Sequence, residues 1–100
     1  EEVFNQLGLQ VSNLTPQAAR QYGYEGDKGV IISDIKPGSV ASRENIRVGD
    51  LIISVNRKPV KDVSDFNNVL KDAGANDVVL FRMRRGNTSF FTALRIPDNE

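Results

Sequence analysis

Two stretches of the chain alternate apolar and polar residues, and this period of two predicts β-strands. In residues 7–12 the alternation places Leu7, Leu9 and Val11 on one face. The same period runs through residues 88–96. There one face is formed by Phe90, Thr92, Leu94 and Ile96, and the other by Phe91, Ala93 and Arg95. We expect residues 7–12 to form a half-buried strand.

Three further apolar runs predict strands, at residues 29–35, 51–55 and 78–84. Residues 51–55 are the most apolar of these, so we expect them at the centre of the sheet. The last run is separated from residues 88–96 by a short Arg-Gly-Asn segment, which predicts a hairpin. A turn at Asn56 and Arg57 leads into a further short piece of chain around Val60.

Helix signals occur at three places. Thr15 and Pro16 are typical of an N-cap and first helical residue, and this short helix is expected to end near Gly23. Ser39 is expected to cap a helix of one to two turns over residues 40–44.

The longest predicted helix follows Ser64, which is a favourable N-cap, and Asp65 is a favourable charge for its first turn. Apolar residues then recur at helical spacing. They are Phe66, Val69, Leu70 and Ala73. Gly74 is the expected left-handed residue after the helix.

Together these elements predict a mainly β fold of the α+β type: a small five- to six-stranded β-barrel or sandwich capped by one main helix and two short helices. A chain of 100 residues can bury roughly two-thirds of its surface, enough for one modest core. We expect a single domain over residues 3–97, with residues 1–2 and 98–100 as terminal tails.

Composition removes several classes of function. The chain has no Cys and no His, which excludes thiol chemistry and a Ser-His-Asp triad built from this chain alone, and makes a metal site improbable. Thirteen basic residues balance thirteen acidic ones, so there is no overall attraction to nucleic acid or to anionic lipid. The longest apolar run is too short for membrane insertion. No cofactor is indicated.

Several segments together resemble a PDZ domain. Residues 6–9 (Gln-Leu-Gly-Leu) are similar to the x-Φ-G-Φ carboxylate-binding loop of that family. Residues 37–41 (Pro-Gly-Ser-Val-Ala) and 47–56, which contain Gly-Asp-Leu-Ile and end in Val-Asn, resemble its turn, short helix and G-D-x-I pattern. Residues 64–74 lie where the groove helix is expected. The carboxylate loop comes first and the hairpin last, as in the permuted PDZ domains of bacteria, and residues 14–20 look most like those of HtrA/Deg trypsin-like serine proteases.

The resemblance implies a groove for a peptide C-terminus. The carboxylate loop would be Gln6, Leu7, Gly8 and Leu9, with the backbone amides of the last three as donors to the terminal anion. The strand edge that accepts the peptide would be Gln10, Val11 and Ser12. The hydrophobic pocket and groove helix would comprise Asp65, Phe66, Val69, Leu70 and Ala73.

By itself such a domain would be a non-catalytic module that captures C-terminal or unfolded hydrophobic segments. The resemblance further implies a trypsin-like serine endopeptidase domain before residue 1, which the module would supply with substrate or regulate. It also implies contacts with that domain and with sibling subunits, and an extracytoplasmic location, expected to be the bacterial periplasm.

Two other functions stay open. The domain could be an assembly element whose groove is unused and whose outer surface holds an oligomer together. It could also belong to another bacterial processing protease or secretion component. A structural alternative for the groove is that Leu7, Leu9 and Val11 are plain core residues and that Gly8 marks a bulge.

Structural roles are expected for the remaining polar and charged residues that stand out in the sequence. Asp50 is expected to accept hydrogen bonds from backbone in its own turn. The arginines at positions 82, 84 and 85 are expected to be a solvated hairpin end, because no aromatic platform accompanies them. Two residues depart from the family pattern: Asn45 and Arg57 stand where glycine is common, and of the two only Asn readily tolerates the left-handed conformation.

Overall fold

The computed structural model describes residues 7–71 and 77–96. The strands are β1 (Leu9–Asn13), β2 (Val30–Ile35), β3 (Leu51–Val55), β4 (Lys58–Pro59), β5 (Val78–Arg85) and β6 (Thr88–Arg95). The helices are α1 (Pro16–Tyr22), a single 3₁₀ turn (Ala41–Arg43) and α2 (Val63–Lys71). All strand pairings are antiparallel.

Within the described residues the strands form one six-stranded sheet in the order β1-β2-β3-β5-β6, and β4 pairs with β3 outside this path. The predicted fold class is confirmed: the protein is mainly β, with one main helix and two short ones. The prediction that residues 51–55 are central is also confirmed, because β3 is the middle strand of the order. The two outer strands are β1 and β6.

The main core lies between the inner face of the sheet and α2. Phe66 and Leu70 of α2 are buried there, and the Phe66 ring lies 6.0 Å from that of Phe81 on β5. A smaller cluster covers the opposite face of β2 and β3, where Ile31 and Leu51 pack with Tyr24. Both faces of these strands are therefore buried along part of their length, which explains why their sequences are apolar runs rather than alternations.

The predicted boundaries of α1 are confirmed at both ends. The Thr15 hydroxyl accepts a hydrogen bond from Ala18 N (3.1 Å), and Pro16 is the first helical residue. Gly23 ends the helix in the left-handed conformation, with φ of 81°. Both ends of α1 are determined by residues within or next to the helix, so the sequence alone was enough to predict them.

The prediction that Ser64 caps the main helix is wrong, because α2 already begins at Val63 and Ser64 lies within it. The cap is Asp62: its carboxylate accepts from Asp65 N (2.8 Å) and its carbonyl accepts from Phe66 N (3.1 Å). The Asp65 carboxylate in turn accepts from Lys61 N (3.2 Å), the residue before the cap. Ala73 and Gly74, predicted near the end of this helix, lie outside the described residues.

The expectation of a solvated arginine end is wrong for Arg84 and Arg85. Arg85 forms a two-point ion pair with the buried Asp50, at 2.8 and 2.7 Å. Arg84 pairs with Asp27. Asp50 also accepts a hydrogen bond from Arg47 N (2.9 Å), the turn contact that the sequence predicts.

Tyr24 links this network to the loop before β2. Its side chain is buried, and its hydroxyl lies 3.0 Å from the Gly49 carbonyl and 2.9 Å from the Arg84 carbonyl. Burial raises the pKa of the Tyr24 hydroxyl above its usual value of 10.0, because the phenolate would lose its hydration there.

The turn between β3 and β4 has positive φ at both central residues, 51° at Asn56 and 69° at Arg57. Arg57 therefore adopts the left-handed conformation of the glycine that is common at this position, a conformation that is unfavourable for arginine. The Asn56 amide oxygen accepts from Leu80 N (2.8 Å), which ties the turn to β5. Asn45 does not have positive φ, so the left-handed conformation considered for it is not used.

The assignment of Asp62 as the cap of α2 predicts unequal effects of two neighbouring substitutions. Asp62→Ala should lower the free energy of unfolding by about 1 kcal/mol, because it leaves helix N–H groups without an acceptor. Ser64→Ala should change it by less than about 0.5 kcal/mol. Urea denaturation followed by circular dichroism measures both, and equal losses would refute the assignment.

The raised Tyr24 pKa predicts that stability falls at high pH. The folded state holds this proton more tightly than the unfolded state, so the contribution is complete below about pH 10 and is lost as the pH rises through the folded-state pKa. Urea midpoints measured from about pH 8 to about pH 11 should fall less steeply for Tyr24→Phe than for the parent protein. Parallel curves for the two proteins would show that Tyr24 does not cause the loss.

Candidate functional site

The candidate site is the outer edge of β1, where the first described residues of the chain bend into the sheet. β1 pairs on one side with β2 and has no strand beside its other edge among the described residues. An edge strand with unpaired backbone groups is a template for an added strand. The sheet order therefore places the predicted peptide-accepting strand in a position where a peptide could be added.

Hydrogen bonds fix which backbone groups of β1 face that edge. The carbonyl oxygens of Gly8 and Gln10 accept hydrogen bonds from the β2 side, at 2.6 and 3.1 Å. Backbone groups alternate in direction along a strand, so the N–H and C=O groups of Leu9 and Val11 point to the opposite, open edge. These are the groups that an added strand would meet.

The bend before β1 depends on Gly8. Its φ is 83°, a conformation that residues with a Cβ rarely adopt. A Cβ at this position would also overlap the Cβ and Oγ of Ser39. The Gly8 carbonyl is held by Lys36 N at 2.6 Å. The bend is thus fixed by the segment 36–39 that follows β2.

Two hydrogen bonds hold the Ser39 side chain in place beside Gly8. Its hydroxyl donates to the Lys36 carbonyl (2.6 Å) and accepts from Ser42 N (3.2 Å). The hydroxyl therefore bonds to the first turn of the short helix, but that helix is a 3₁₀ turn over Ala41–Arg43 with Val40 at its N-cap position, rather than the predicted helix over residues 40–44 capped by Ser39. One serine thus supports this turn and also shapes the candidate carboxylate loop.

The strand that was predicted over residues 7–12 begins later, at Leu9, and extends to Asn13. Gly8 forms the bend instead, and Leu7 precedes it. Asn13 connects the end of β1 to α2, because its amide oxygen accepts a hydrogen bond from Val63 N (2.8 Å). This bond fixes the first turn of α2 against the end of β1.

Burial separates the predicted pocket residues into two groups. Leu7, Leu9 and Phe66 are at most 1% exposed and Leu70 is 8% exposed, so they are part of the main core. The half-buried residues are Val11, Asp65 and Val69. Gln10 and Ser12 are exposed, whereas Gln6 and Ala73 lie outside the described residues. An apolar ligand side chain would therefore first contact Val11 and Val69, with the buried group beneath them.

Four residues that shape the site were missed as site residues: Asn13, Ser33, Lys36 and Ser39. Ser33 is the extra residue of a bulge in β2 opposite Gln10 and Val11, and its hydroxyl is the donor to the Gln10 carbonyl. Their contacts are with residues between 23 and 50 positions away along the chain. For the serines and Asn13, residue type was the only signal in the sequence, because Ser and Asn side chains commonly bond to backbone. Nothing in the sequence marked Lys36.

The described part of the chain was also searched for metal sites, membrane-spanning helices and cavities. No cluster of three or more acidic side chains that could hold a metal occurs there. No helix there is long and apolar enough to cross a membrane. Two cavities lie away from β1: one of about 290 Å³ beside α1, and one of about 510 Å³ between the 3₁₀ turn and the ends of β5 and β6.

The contact between Gly8 and Ser39 predicts a larger loss of stability for Gly8→Ala than for Gly23→Ala. Both positions have φ near 80°, but nothing lies within 4 Å of an added Cβ at Gly23. Gly23→Ala should cost about 1–2 kcal/mol for the backbone alone. Gly8→Ala should cost at least about 1 kcal/mol more through overlap.

Urea denaturation of both variants, of Ser39→Gly and of the double variant Gly8→Ala/Ser39→Gly tests this contact. Removal of the Ser39 side chain should recover part of the loss at position 8. If the double variant shows simple addition of the two single losses, the overlap with Ser39 is not the cause.

Comparisons with known proteins point to one family. A family model described as "PDZ domain" matches residues 4–82. Over 90 residues the chain is 39% identical to a "Probable periplasmic serine endoprotease DegP-like" of Chlamydia pneumoniae, a match that covers 89% of this chain and 18% of that protein. A protein of the same name from Brucella suis is 38% identical over 74 residues, or 72% of this chain and 14% of that protein. The chain thus spans less than a fifth of the length of these curated relatives.

Two solved structures are similar in fold. The HtrA3 PDZ domain bound to a phage-derived ligand (FGRWV) has a TM-score of 0.70 and 25% identity, with 89% of this chain and 79% of that chain covered. The HtrA-type protease AlgW with a decapeptide has a TM-score of 0.81 at 19% identity, with 91% of this chain and 28% of that chain covered. At that identity the second likeness concerns the fold alone.

Proposed function

This chain belongs to the PDZ domain family, and from that premise we propose that it binds extended hydrophobic C-terminal peptides as an added strand on β1. The observation that supports this most is the position of β1. It lies at the edge of the sheet, follows a glycine bend, and has α2 attached to its end through Asn13 and Val63. A peptide would lie antiparallel to β1 and beside α2.

The bend would receive the terminal carboxylate. Backbone N–H groups of Leu7, Gly8 and Leu9 are the proposed donors, since successive amides in a curled loop form an anion-binding concavity. The left-handed Gly8 supplies the curl, and its bond from Lys36 N keeps the loop in place without using those amides. A free carboxylate is then recognised by charge-assisted hydrogen bonds.

The last side chain of the peptide would pack against Val11 of β1 and Val69 of α2. Both are half-buried and contact the main core. Leu9 and Phe66 lie beneath them with no exposed surface, so the floor of the pocket is apolar. An aliphatic or aromatic terminal residue suits such surroundings, and a charged one does not.

The expected affinity is modest. Burial of one aliphatic side chain contributes about 1.5–3 kcal/mol. Charge-assisted bonds to the carboxylate add about 1.5–3 kcal/mol, and about three backbone bonds add about 1 kcal/mol each. Immobilisation of the peptide opposes binding by at least about 4 kcal/mol. The balance of at most about 5 kcal/mol corresponds to dissociation constants of about a few tenths of a millimolar or weaker.

In the whole protein we propose that this module recruits substrate to, or regulates, an attached trypsin-like serine endopeptidase domain. The similar proteins are named DegP-like serine endoproteases, and this chain would be one module of such a protein. Their names also describe them as periplasmic, which supports an extracytoplasmic location for this protein. Unfolded chains, the attached protease domain and sibling subunits are the proposed partners.

A titration of the ¹⁵N-labelled protein with three versions of one peptide tests the binding mode. The peptide ends in Val, and the versions have a free carboxylate, a C-terminal amide, or single N-methyl groups at successive backbone amides. The free acid should shift the resonances of residues 7–12 and 63–71. The amide should bind at least about tenfold more weakly, which corresponds to 1.4 kcal/mol.

The N-methyl series adds a test of strand pairing. Only alternate peptide amides face the neighbouring strand, so methylation should abolish binding at every second position and be tolerated between them. Equal binding of acid and amide would refute the carboxylate loop. Equal effects at every methylated position would refute addition of a strand to β1.

Two variants of α2 test the pocket. Val69→Lys should weaken binding of the free acid at least about tenfold, because it places a charge at the apolar rim. Asn68→Lys is the matched control, since Asn68 is exposed on the same helix. The control should bind as the parent protein does, and circular dichroism confirms that both variants fold. Similar losses in the two variants would show that charge alone reduced binding.

A further inference from the structure

Lys36 is a basic residue whose backbone is fixed directly beside the bend at Gly8. Its N–H donates to the Gly8 carbonyl (2.6 Å). Its own carbonyl accepts from the Ser39 hydroxyl (2.6 Å) and from Ser39 N (3.3 Å). Both backbone groups of Lys36 therefore hold the turn after β2 against the bend. None of these bonds involves the ammonium group of its side chain.

The side chain of Lys36 lies on the outer face of the sheet, next to the bend. Ile35 packs against the main core, and successive residues of an extended chain point to opposite faces. Pro37 keeps Lys36 extended, because the helical conformation is disfavoured before proline. Lys36 is exposed, and its Cβ lies 3.5 Å from the place that a Cβ on Gly8 would take. Its positive charge is therefore anchored at the surface of the candidate carboxylate loop.

The side chain of Lys36 is long enough to approach a carboxylate bound at the bend. That carboxylate would lie on the open side of β1, whereas Lys36 lies on the β2 side, one strand spacing, about 4.8 Å, from Gly8. Gly8 has no side chain of its own to separate the two. Lysine has a flexible four-carbon stem, so its ammonium group can extend across this one strand on the outer face.

Asp34 lies on the same face with a charge of opposite sign, but it is further from the bend. It pairs with Gln10 rather than with Gly8, which places it about 7 Å further along the strands. One of its carboxylate oxygens also accepts a hydrogen bond from Ile35 N (2.9 Å). Its side chain has a single methylene group, so the carboxylate stays near its own strand. Of these two charges, the positive one of Lys36 is therefore closer to the bend.

We propose that the Lys36 ammonium group is a further binding group for the terminal carboxylate of the peptide. The inference rests on the proposed function and adds a residue to it that the resemblance does not include. Backbone amides of the bend bind the carboxylate oxygens, and Lys36 attracts the same charge from the outer face. It acts even without direct contact, within the screening length of about 8 Å at physiological salt. Lys36 thus favours free C-termini over internal segments, which have no terminal charge.

Substitutions of Lys36 should change the binding of the Val-terminated free acid and leave that of the amide unchanged. Lys36→Met keeps most of the stem and removes the charge, so it should weaken acid binding about threefold, as expected for an exposed ion pair. Lys36→Glu replaces attraction by repulsion and should weaken it about tenfold. Lys36→Arg keeps the charge and should bind as the parent does. Titration of the ¹⁵N-labelled proteins measures each affinity, and unchanged amide binding also shows that the variants are folded.

Lys28→Glu is the matched control, because it changes the net charge by the same amount at an exposed lysine. Lys28 precedes β2 and Lys36 follows it, so the two lie at opposite ends of that strand. The control should bind the acid as the parent does at about 0.15 M salt. A rise to about 0.5 M salt should weaken acid binding by the parent protein more than by Lys36→Met, because the variant has lost the charge that salt screens.

Three results would each overturn the proposal: unchanged acid binding by Lys36→Met, equal losses for acid and amide, and a loss in Lys28→Glu as large as that in Lys36→Glu. An acid preference that persists in full in Lys36→Met removes the role of Lys36 and leaves the carboxylate loop intact. Equal binding of acid and amide by the parent protein would instead refute the loop itself, and this proposal with it. The two failures are therefore distinguished by which protein loses the preference.

Discussion

The close contact between Gly8 and Ser39 is the constraint on which the candidate site depends. A residue with positive φ and no room for a Cβ brings the chain from the bend into β1 in one fixed direction. Ser39 is itself held by bonds to Lys36 and Ser42, so the constraint comes from the turn after β2 rather than from the loop alone. The missing Cβ at Gly8 therefore serves the fold first.

The two edges of the sheet show how one architecture can present two different surfaces. β1 is short, borders a bulge at Ser33 and is tied to α2 through Asn13. These features limit the chains that could add to it to a short extended segment beside the helix. β6 is longer and regular, and it carries the exposed Phe91 at its middle.

Features decided by neighbouring residues were predictable from the sequence. The cap at Thr15, the helix end at Gly23, the central position of β3 and the two faces of β6 all follow from local pattern. The cap of α2 was misassigned because Asp62 and Ser64 are both good caps, and the sequence does not show the bond from Val63 to Asn13. The ion pairs of Arg84 and Arg85 join residues 57 and 35 positions apart, which no local pattern reveals. For the same reason the role of Ser39 beside Gly8 could not be found, although the resemblance located the bend itself.

The most direct measurement is a map of short proton–proton distances in a complex of the ¹⁵N-labelled protein with a C-terminal peptide. If the peptide adds to β1, its backbone protons will lie next to those of Leu9 and Val11, and its last side chain will contact Val69. Contacts confined to β6, or to the cavity beside α1, are incompatible with peptide capture at this edge.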